Sequence, residues 1–438
     1  MSSYITKKTD GDTVWFEHDR FGMFIHFGLY SAGAKHEWFK SLEAIPDEKY
    51  DKYARYFDPD LFDAKEWAKK AKAAGMKYAV FTTKHHEGFC MFDSQYTDYK
   101  STNSPAKRDF VKEFVEAFRA EGLKIGLYYS LIDWHHPDFP IDIFHPHRID
   151  PDGEEQNKHR DMAKYREYLA NQIRELMTNY GKIDIFWFDF TYSSMKSVDN
   201  EFNQYAIKTY QPWMPWTNAE AWGAENLIKL IRSYNPDIII NNRSGIPQDI
   251  TTPEQTLTSD WPKYPGTEEL YTWESCQTFS GAWGYSRDEM SWKSPEMLIR
   301  VLLRCVCNGG NLIMNVGPTA RGCFDDRADA ALDVYAKWIK FNGRSIYGCT
   351  KAEPEFEAPV GTVLTQSEDG SRLYIHLLEY PFTELKMKNM AGKVDYAQFL
   401  HDASEVRFRE KSDGSVNFLV PGIRPNQTIC TLELFLKK

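Results

Sequence analysis

Residues 183–190 read IDIFWFDF, an apolar and aromatic run broken by Asp184 and closed by Asp189. The amphipathic stretch Arg160–Tyr180 precedes it. A run of this kind, too short for a helix and bounded by Gly181, predicts a buried strand. Working outward, the same pattern recurs at Phe21–Gly28, Tyr78–His86, Lys124–Ser130, Asp237–Arg243, Tyr271–Cys276 and Asn311–Gly317. Between these runs, Asp63–Ala74, Asp109–Glu121, Ala224–Ser233, Pro295–Cys307 and Asp325–Phe341 place apolar residues at helical spacing. Strands alternating with amphipathic helices predict an α/β fold with a parallel sheet and crossover helices. About seven or eight such units fit a (β/α)8 TIM-like barrel better than an open doubly wound sheet. No GxGxxG follows a strand, which weakens the dinucleotide-binding alternative.

The texture changes after Thr350. Helical periodicity stops, and short alternating stretches appear at Thr362–Gln366, Arg372–Leu378, Val406–Phe408, Val416–Val420 and Thr428–Leu436. Glu368-Asp369-Gly370 and Ser412-Asp413-Gly414 supply turn chemistry between them. The expected organisation is a barrel over 1–348 followed by a C-terminal antiparallel β-sandwich over 349–438.

Composition narrows the function. Lys and Arg total 53 against 63 Asp and Glu, for a net charge of −10, which argues against a nucleic-acid partner. No run approaches the roughly 20 apolar residues of a membrane span, so no membrane association is expected. MSSYITKKTDGDTVWFEHDR at the N-terminus has no apolar signal core. That reading favours a cytoplasmic chain, with a trimmed secreted or periplasmic form as the alternative. Seven Cys without disulfide-framework spacing read as reduced thiols. Aromatic content is 15%, and aromatic side chains serve both cores and sugar-stacking sites. Helical Trp67 and Trp338 read as core.

In a barrel, the C-terminal strand ends and the loops after them line the active site. Here the strand ends carry His26, His85, His86, Tyr128, Tyr129, Trp187, Asp189, Asn242, Arg243 and Glu274. The loops add Glu37, Trp38, Glu87, Asp133, Trp134, Glu254 and Trp283. Carboxylates, imidazoles and indoles dominate, as a glycosidase requires. Asp189 is the sharpest candidate, because a carboxylate closing a deeply apolar strand is costly unless it is paired or functional. Adjacent His85 and His86 should point to opposite faces of a strand, so both cannot ligate one metal without a bulge. No metal site is expected. His135 and His136 read as surface histidines.

The ordered set RFGMFIHFGLYS (20–31), KHEWF (35–39), KHHEGF (84–89), GLYYSLIDWHHP (126–137), FWFDF (186–190), NNR (241–243), TWESC (272–276), AWGY (282–285), NLIMNVGP (311–318) and NGRSIYG (342–348) resembles glycoside hydrolase family 29, the α-L-fucosidases. The resemblance spans Trp15–Gly348. It implies an irregular barrel with a C-terminal β-sandwich, a retaining mechanism, and no metal or cofactor. It implies Asp189 as nucleophile, with His26, Glu37, Trp38, His85, His86, Tyr128, Trp187 and Arg243 holding fucose. Whether Tyr128 or Tyr129 faces the sugar stays open. Glu254, in DITTPEQT, best fits the acid/base position. Glu274 is the alternative, and it could equally bind substrate or be structural. Trp283 would join Trp38 and Trp187 as an aromatic wall for the C6 methyl group. The long stretch Ser193–Glu225 departs from the pattern and bears on the leaving-group side.

The implied reaction is double displacement: an exo-α-L-fucosidase acting on small or oligosaccharide fucosides through a fucosyl-enzyme. A metal-dependent barrel hydrolase and a non-catalytic carbohydrate-binding protein are the competing readings. The sequence leaves linkage preference and oligomeric state open.

Overall fold

Six of the seven apolar runs become full strands, and the seventh shrinks to a stub. They are β1 (Phe21–Ile25), β2 (Tyr78–Lys84), β3 (Lys124–Ser130), β4 (Ile185–Asp189), β5 (Ile239–Ile240), β6 (Glu274–Thr278) and β7 (Asn311–Val316). In this computed structural model they form one curled parallel sheet in the order β5-β4-β3-β2-β1-β7-β6. The structure describes residues 4, 6–201 and 203–437. The chain ends at 1 and 438, and part of the N-terminal stretch read for a signal, lie outside them.

The strands are buried along nearly their whole length. Parallel strands covered on both faces read as continuous apolar runs, which is why the sequence lacks polar alternation there. The period of two divides each strand between two cores. Phe24, Val80, Tyr128, Ile185 and Trp187 pack with one another in the inner cluster. Met23, Phe81, Leu127, Tyr129 and Phe188 pack in the larger cluster that includes the helices.

The covering helices are Ala64–Ala73, Phe110–Ala120, Met162–Asn179, Ala224–Tyr234, Pro295–Val306 and Asp326–Asn342. Five begin at an Asp or Ser whose side chain accepts a backbone N–H of the first turn: Asp63, Asp109, Asp161, Ser294 and Asp325. Each cap satisfies donors that the helix leaves unpaired.

Between β5 and β6 the sheet is irregular. Single parallel bridges join Asn241 to Ile250, Thr251 to Trp273 and Glu254 to Cys276. No regular eighth strand occurs among the described residues, so the sheet is seven-stranded where eight strands were expected. Pro247 and Pro253 have no N–H to give a ladder. Gln255 adds a left-handed φ of 50°.

Beyond residue 348 the chain forms β8 (Cys349–Lys351), β9 (Thr362–Ser367), β10 (Arg372–Leu377), β11 (Glu384–Met387), β12 (Val394–Phe399), β13 (Phe408–Glu410), β14 (Val416–Leu419) and β15 (Cys430–Leu436). They make two antiparallel sheets, β12-β15-β10-β9-β8 and β11-β14-β13. Both sheets contribute to one core, with Leu373, Ile375 and Leu432 from the first and Leu385, Met387 and Phe418 from the second. This part packs against the N-terminal side of the parallel sheet. Arg20, just before β1, donates to the carbonyls of Gly309 and Cys349. The Trp338 indole donates to the Ile429 carbonyl at 2.9 Å.

Candidate active site

Asp189 ends β4, and Arg243 lies in the turn after β5. One nitrogen of Arg243, Nη1, donates to Asp189 Oδ1 at 3.0 Å and to Glu254 Oε2 at 2.7 Å. The guanidinium is itself held: Nε donates to Thr252 Oγ1 and Nη2 to the Thr252 carbonyl. Its carbon lies 4.6 Å from the Trp187 ring. The other oxygen of Asp189 accepts from the Tyr128 hydroxyl at 2.8 Å. Burial raises the Asp189 carboxyl above its ordinary range. Arg243 and the Tyr128 hydrogen bond oppose that rise, whereas the Glu254 charge adds to it. Asp189 is nearly buried, while the Glu254 side chain is 47% exposed. The two carboxylates therefore face different surroundings, one dry and one wet.

The histidines present acceptors. His26 Nδ1 lies 2.6 Å from Asn315 Oδ1, and the Asn315 amide nitrogen donates to the Trp283 carbonyl. An amide oxygen only accepts, so His26 carries its proton on Nδ1 and turns a bare Nε2 to the pocket. His86 behaves alike. Its Nδ1 lies 2.7 Å from Ser130 Oγ, whose own hydrogen is given to the Ile132 carbonyl. Burial holds both imidazoles well below their ordinary pKa, and their proximity to His85 adds to the effect. Burial thus favours their neutral forms. His86 Nε2 stands 3.8 Å from Asp189 Oδ2. Two lone pairs and a carboxylate facing one space call for hydroxyl donors, which a polyol supplies.

His85 and His86 both line this pocket, contrary to the alternation expected of neighbours. β2 ends at Lys84 with a register shift after Thr82, so the pleat no longer governs the two rings, whose centroids are 4.0 Å apart. Alternation does hold on β3. Tyr128 turns inward to Asp189, while the Tyr129 hydroxyl donates outward to Gln172 on a helix.

Glu37 accepts from the Gly284 N–H at 2.8 Å, and Trp38 packs edge-on against His86. Glu37, Trp38, Trp187 and Trp283 line the pocket together with Phe24, Phe190 and Cys276. The pocket opens into a cleft of about 1160 Å³. Ser193, Asn200, Asn218 and Glu220, from the long stretch after β4, line that cleft with Lys35 and Gln255.

Glu274 is not brought to the pocket. It begins β6 and is fully buried beneath Trp187. Its carboxyl accepts from the Tyr78 hydroxyl at 2.5 Å and from the Trp187 indole N–H at 3.4 Å. Burial pushes it up to about 7, against the pull of both hydrogen bonds. His135 and His136 are half-buried: His135 stacks on Tyr99, and His136 packs against Tyr165 and Tyr168. Among the described residues, no group of three or more His, Cys, Asp or Glu is placed to hold a metal ion.

The sequence model of the α-L-fucosidase family matches residues 5–344. The chain belongs to the α-L-fucosidase family. The structure is similar to α-L-fucosidase isoenzyme 1 from Paenibacillus thiaminolyticus, with a TM-score of 0.88 and 39% identity over 97% of this chain and 99% of that one. It is also similar to an α-L-fucosidase GH29 from Bacteroides thetaiotaomicron trapped as a covalent intermediate with 2-fluoro-fucosyl fluoride. That match has a TM-score of 0.79 and 28% identity, over 99% of each chain. Human plasma α-L-fucosidase is 30% identical over 365 residues, covering 76% of this chain and 69% of its own length.

Several residues of the fucosidase pocket escaped the sequence reading. Asn315 and Ser130 fix the histidine protons, and Thr252 fixes Arg243. Phe190 lines both pocket and cleft at a φ of 80°, a conformation unusual for an aromatic residue. The repeated strand-end polarity that exposed Asp189 gave no signal for these, because their roles are set by the particular side chains and cavity they meet in the fold.

Proposed function

We propose that this chain is a retaining exo-α-L-fucosidase in which Asp189 is the nucleophile and Glu254 the acid/base. The observation that carries this reading is the single Arg243 nitrogen shared by both carboxylates. The two oxygens bound to that nitrogen stand no farther apart than the two hydrogen bonds laid end to end. Carboxyl separations of about 5–5.5 Å belong to retaining glycosidases, and about 6.5–9.5 Å to inverting ones. Asp189 attacks the anomeric carbon while Glu254 protonates the leaving oxygen. The fucosyl-enzyme is then hydrolysed by a water that Glu254 deprotonates. Arg243 and Tyr128 stabilise the Asp189 anion in its buried setting. His26 and His86 accept from sugar hydroxyls, and Trp38, Trp187 and Trp283 face the C–H and methyl surfaces. The trapped covalent intermediate of the Bacteroides relative supports the two-step course.

The cleft beyond Glu254 receives the leaving group, and the 193–225 stretch shapes it. We read residues 250–254 as an irregular eighth stave that closes a (β/α)8-like barrel over 1–348. Residues 349–438 form a separate bracing module.

The test is chemical rescue. Asp189→Ala should lose aryl fucoside hydrolysis by several orders of magnitude. Added azide should restore turnover and yield the fucosyl azide of inverted configuration. Wild-type turnover in that variant would refute the assignment.

A further inference from the structure

Glu274 is a fully buried carboxyl that the mechanism leaves unused. It begins β6 inside the sheet's concave core, and it reaches the reacting carboxylates only through other side chains. Its Oε2 accepts from the Trp187 indole N–H at 3.4 Å. The face of that indole lies 4.6 Å from the Arg243 guanidinium. Arg243 Nη1 then binds Asp189 and Glu254 at 3.0 and 2.7 Å. Its other oxygen accepts from the Tyr78 hydroxyl, which also accepts from the Asn311 amide. The carboxyl is thereby tied to the first residues of β2 and β7.

Ring contacts with Phe24 and Tyr128 pack the indole but are non-directional, so they set its place less sharply than a hydrogen bond does. The hydrogen bond at Nε1 supplies that direction. The guanidinium resting on the ring, and the two carboxylates hung from it, inherit the fixed position.

We infer that Glu274 is a positioning residue that acts through Trp187 to set Arg243 and, with it, the spacing of Asp189 and Glu254. The inference rests on the fucosidase reading of this site. A misplacement of about 1 Å at a reacting centre, caused by a change far from the chemistry, can cost about 100-fold in rate. Because the spacing matters in the transition state more than in the bound ground state, the loss should fall on kcat rather than KM.

The experiment is a double-mutant cycle on aryl α-L-fucoside hydrolysis, with E274M, W187F and the double variant, and with E274Q as the conservative control. E274M removes both acceptor oxygens, whereas E274Q keeps one that can still take the Trp187 N–H. Trp187 also faces the sugar, so W187F changes kcat and KM on its own account and serves only as the background. E274M should lower kcat by about 10- to 100-fold, with KM within about threefold of wild type, and E274Q should recover part of that loss. In the W187F background, E274M should change kcat less than about threefold. Equal losses from E274M in both backgrounds, or kcat near wild type in folded E274M, would overturn the inference. If E274M does not fold, E274D, which withdraws the carboxyl from Trp187 by one methylene, takes its place in the cycle with the same outcomes upholding or overturning the inference. A wild-type protein inert toward the aryl fucoside would instead count against the fucosidase reading.

Discussion

At the scale of single residues, the site separates two carboxylates by environment. Asp189 is dry and Glu254 is wet, and the same arginine nitrogen touches both. Glu254→Ala should slow fucosides with poor leaving groups on the order of 10²- to 10⁴-fold, the usual worth of general acid catalysis. Activated aryl fucosides should be slowed far less in their first step. Steady-state rates across a leaving-group series check this. In the proposed mechanism the pH profile follows from Asp189, which must be ionised to attack. Burial raises its pKa, so activity is lost as pH falls through a value above the ordinary carboxylate pKa of about 4. Arg243 lowers that value by favouring the anion. Arg243→Gln should therefore move the acid limb of kcat/KM to higher pH, and an unmoved limb would show that another group sets it. Asp189 stood out in the sequence because charge at the end of an apolar strand is costly, and Arg243 as a polar residue at another strand end. His85 and His86 were both among the candidate site residues, and the alternation that would have parted them does not apply, since β2 stops at Lys84. The Asn315 and Ser130 hydrogen bonds were invisible because they join residues far apart in the chain.

At the scale of elements, the loop after β2 is held by a buried pair. Lys84 Nζ lies 3.0 Å from Asp133 Oδ2, and Asp133 Oδ1 accepts from the N–H groups of His135 and His136. The glycine in HHEGF meets this network. Gly88 has a φ of 86°, and a Cβ there would fall 2.2 Å from Asp133 Oδ1. Gly88→Ala should destabilise the protein by about 1–3 kcal/mol through backbone strain alone. It should also reduce kcat/KM by disturbing His85 and His86. Thermal melts and kinetics on the folded variant check both effects. Strand and helix existence was legible from period and capping residues. Boundaries were less so. The run at 271–276 becomes a strand at 274–278, and the one at 237–243 contracts to two residues. Both changes fall beside the proline-broken segment, where ladder bonding rather than apolarity sets the limits. Glu384–Met387 and Val394–Phe399 went unread because short amphipathic strands with Glu, Lys and Asp resemble loops.

At the scale of the whole molecule, the pocket and the antiparallel sheets lie at opposite ends of the parallel sheet. The pocket sits at the C-terminal strand ends. The antiparallel sheets meet the other side through Arg20 and Trp338. Trp338 is 2% exposed, and its indole bonds Ile429 across that contact. Trp338→Ala should cost about 3–5 kcal/mol, the range for truncating a large buried aromatic. The turnover of each folded molecule should stay near wild type. A melt combined with active-site titration separates the two quantities. A change in KM would show that the brace reaches the pocket. The two-part organisation was legible from the loss of helical period after Thr350, whereas the contact itself was not. No helix among the described residues is long and apolar enough to cross a membrane.

The segment at 250–254 is tied to its neighbours by single bridges rather than a ladder. A ladder transmits any inserted residue as a flip of every side chain beyond it, but isolated bridges do not. Thr252 and Glu254 are placed there by their bonds to Arg243, whereas Asp189 stands on a strand paired on both sides. A residue inserted at this seam would therefore shift Glu254 and loosen Arg243 while leaving Asp189 where the sheet holds it.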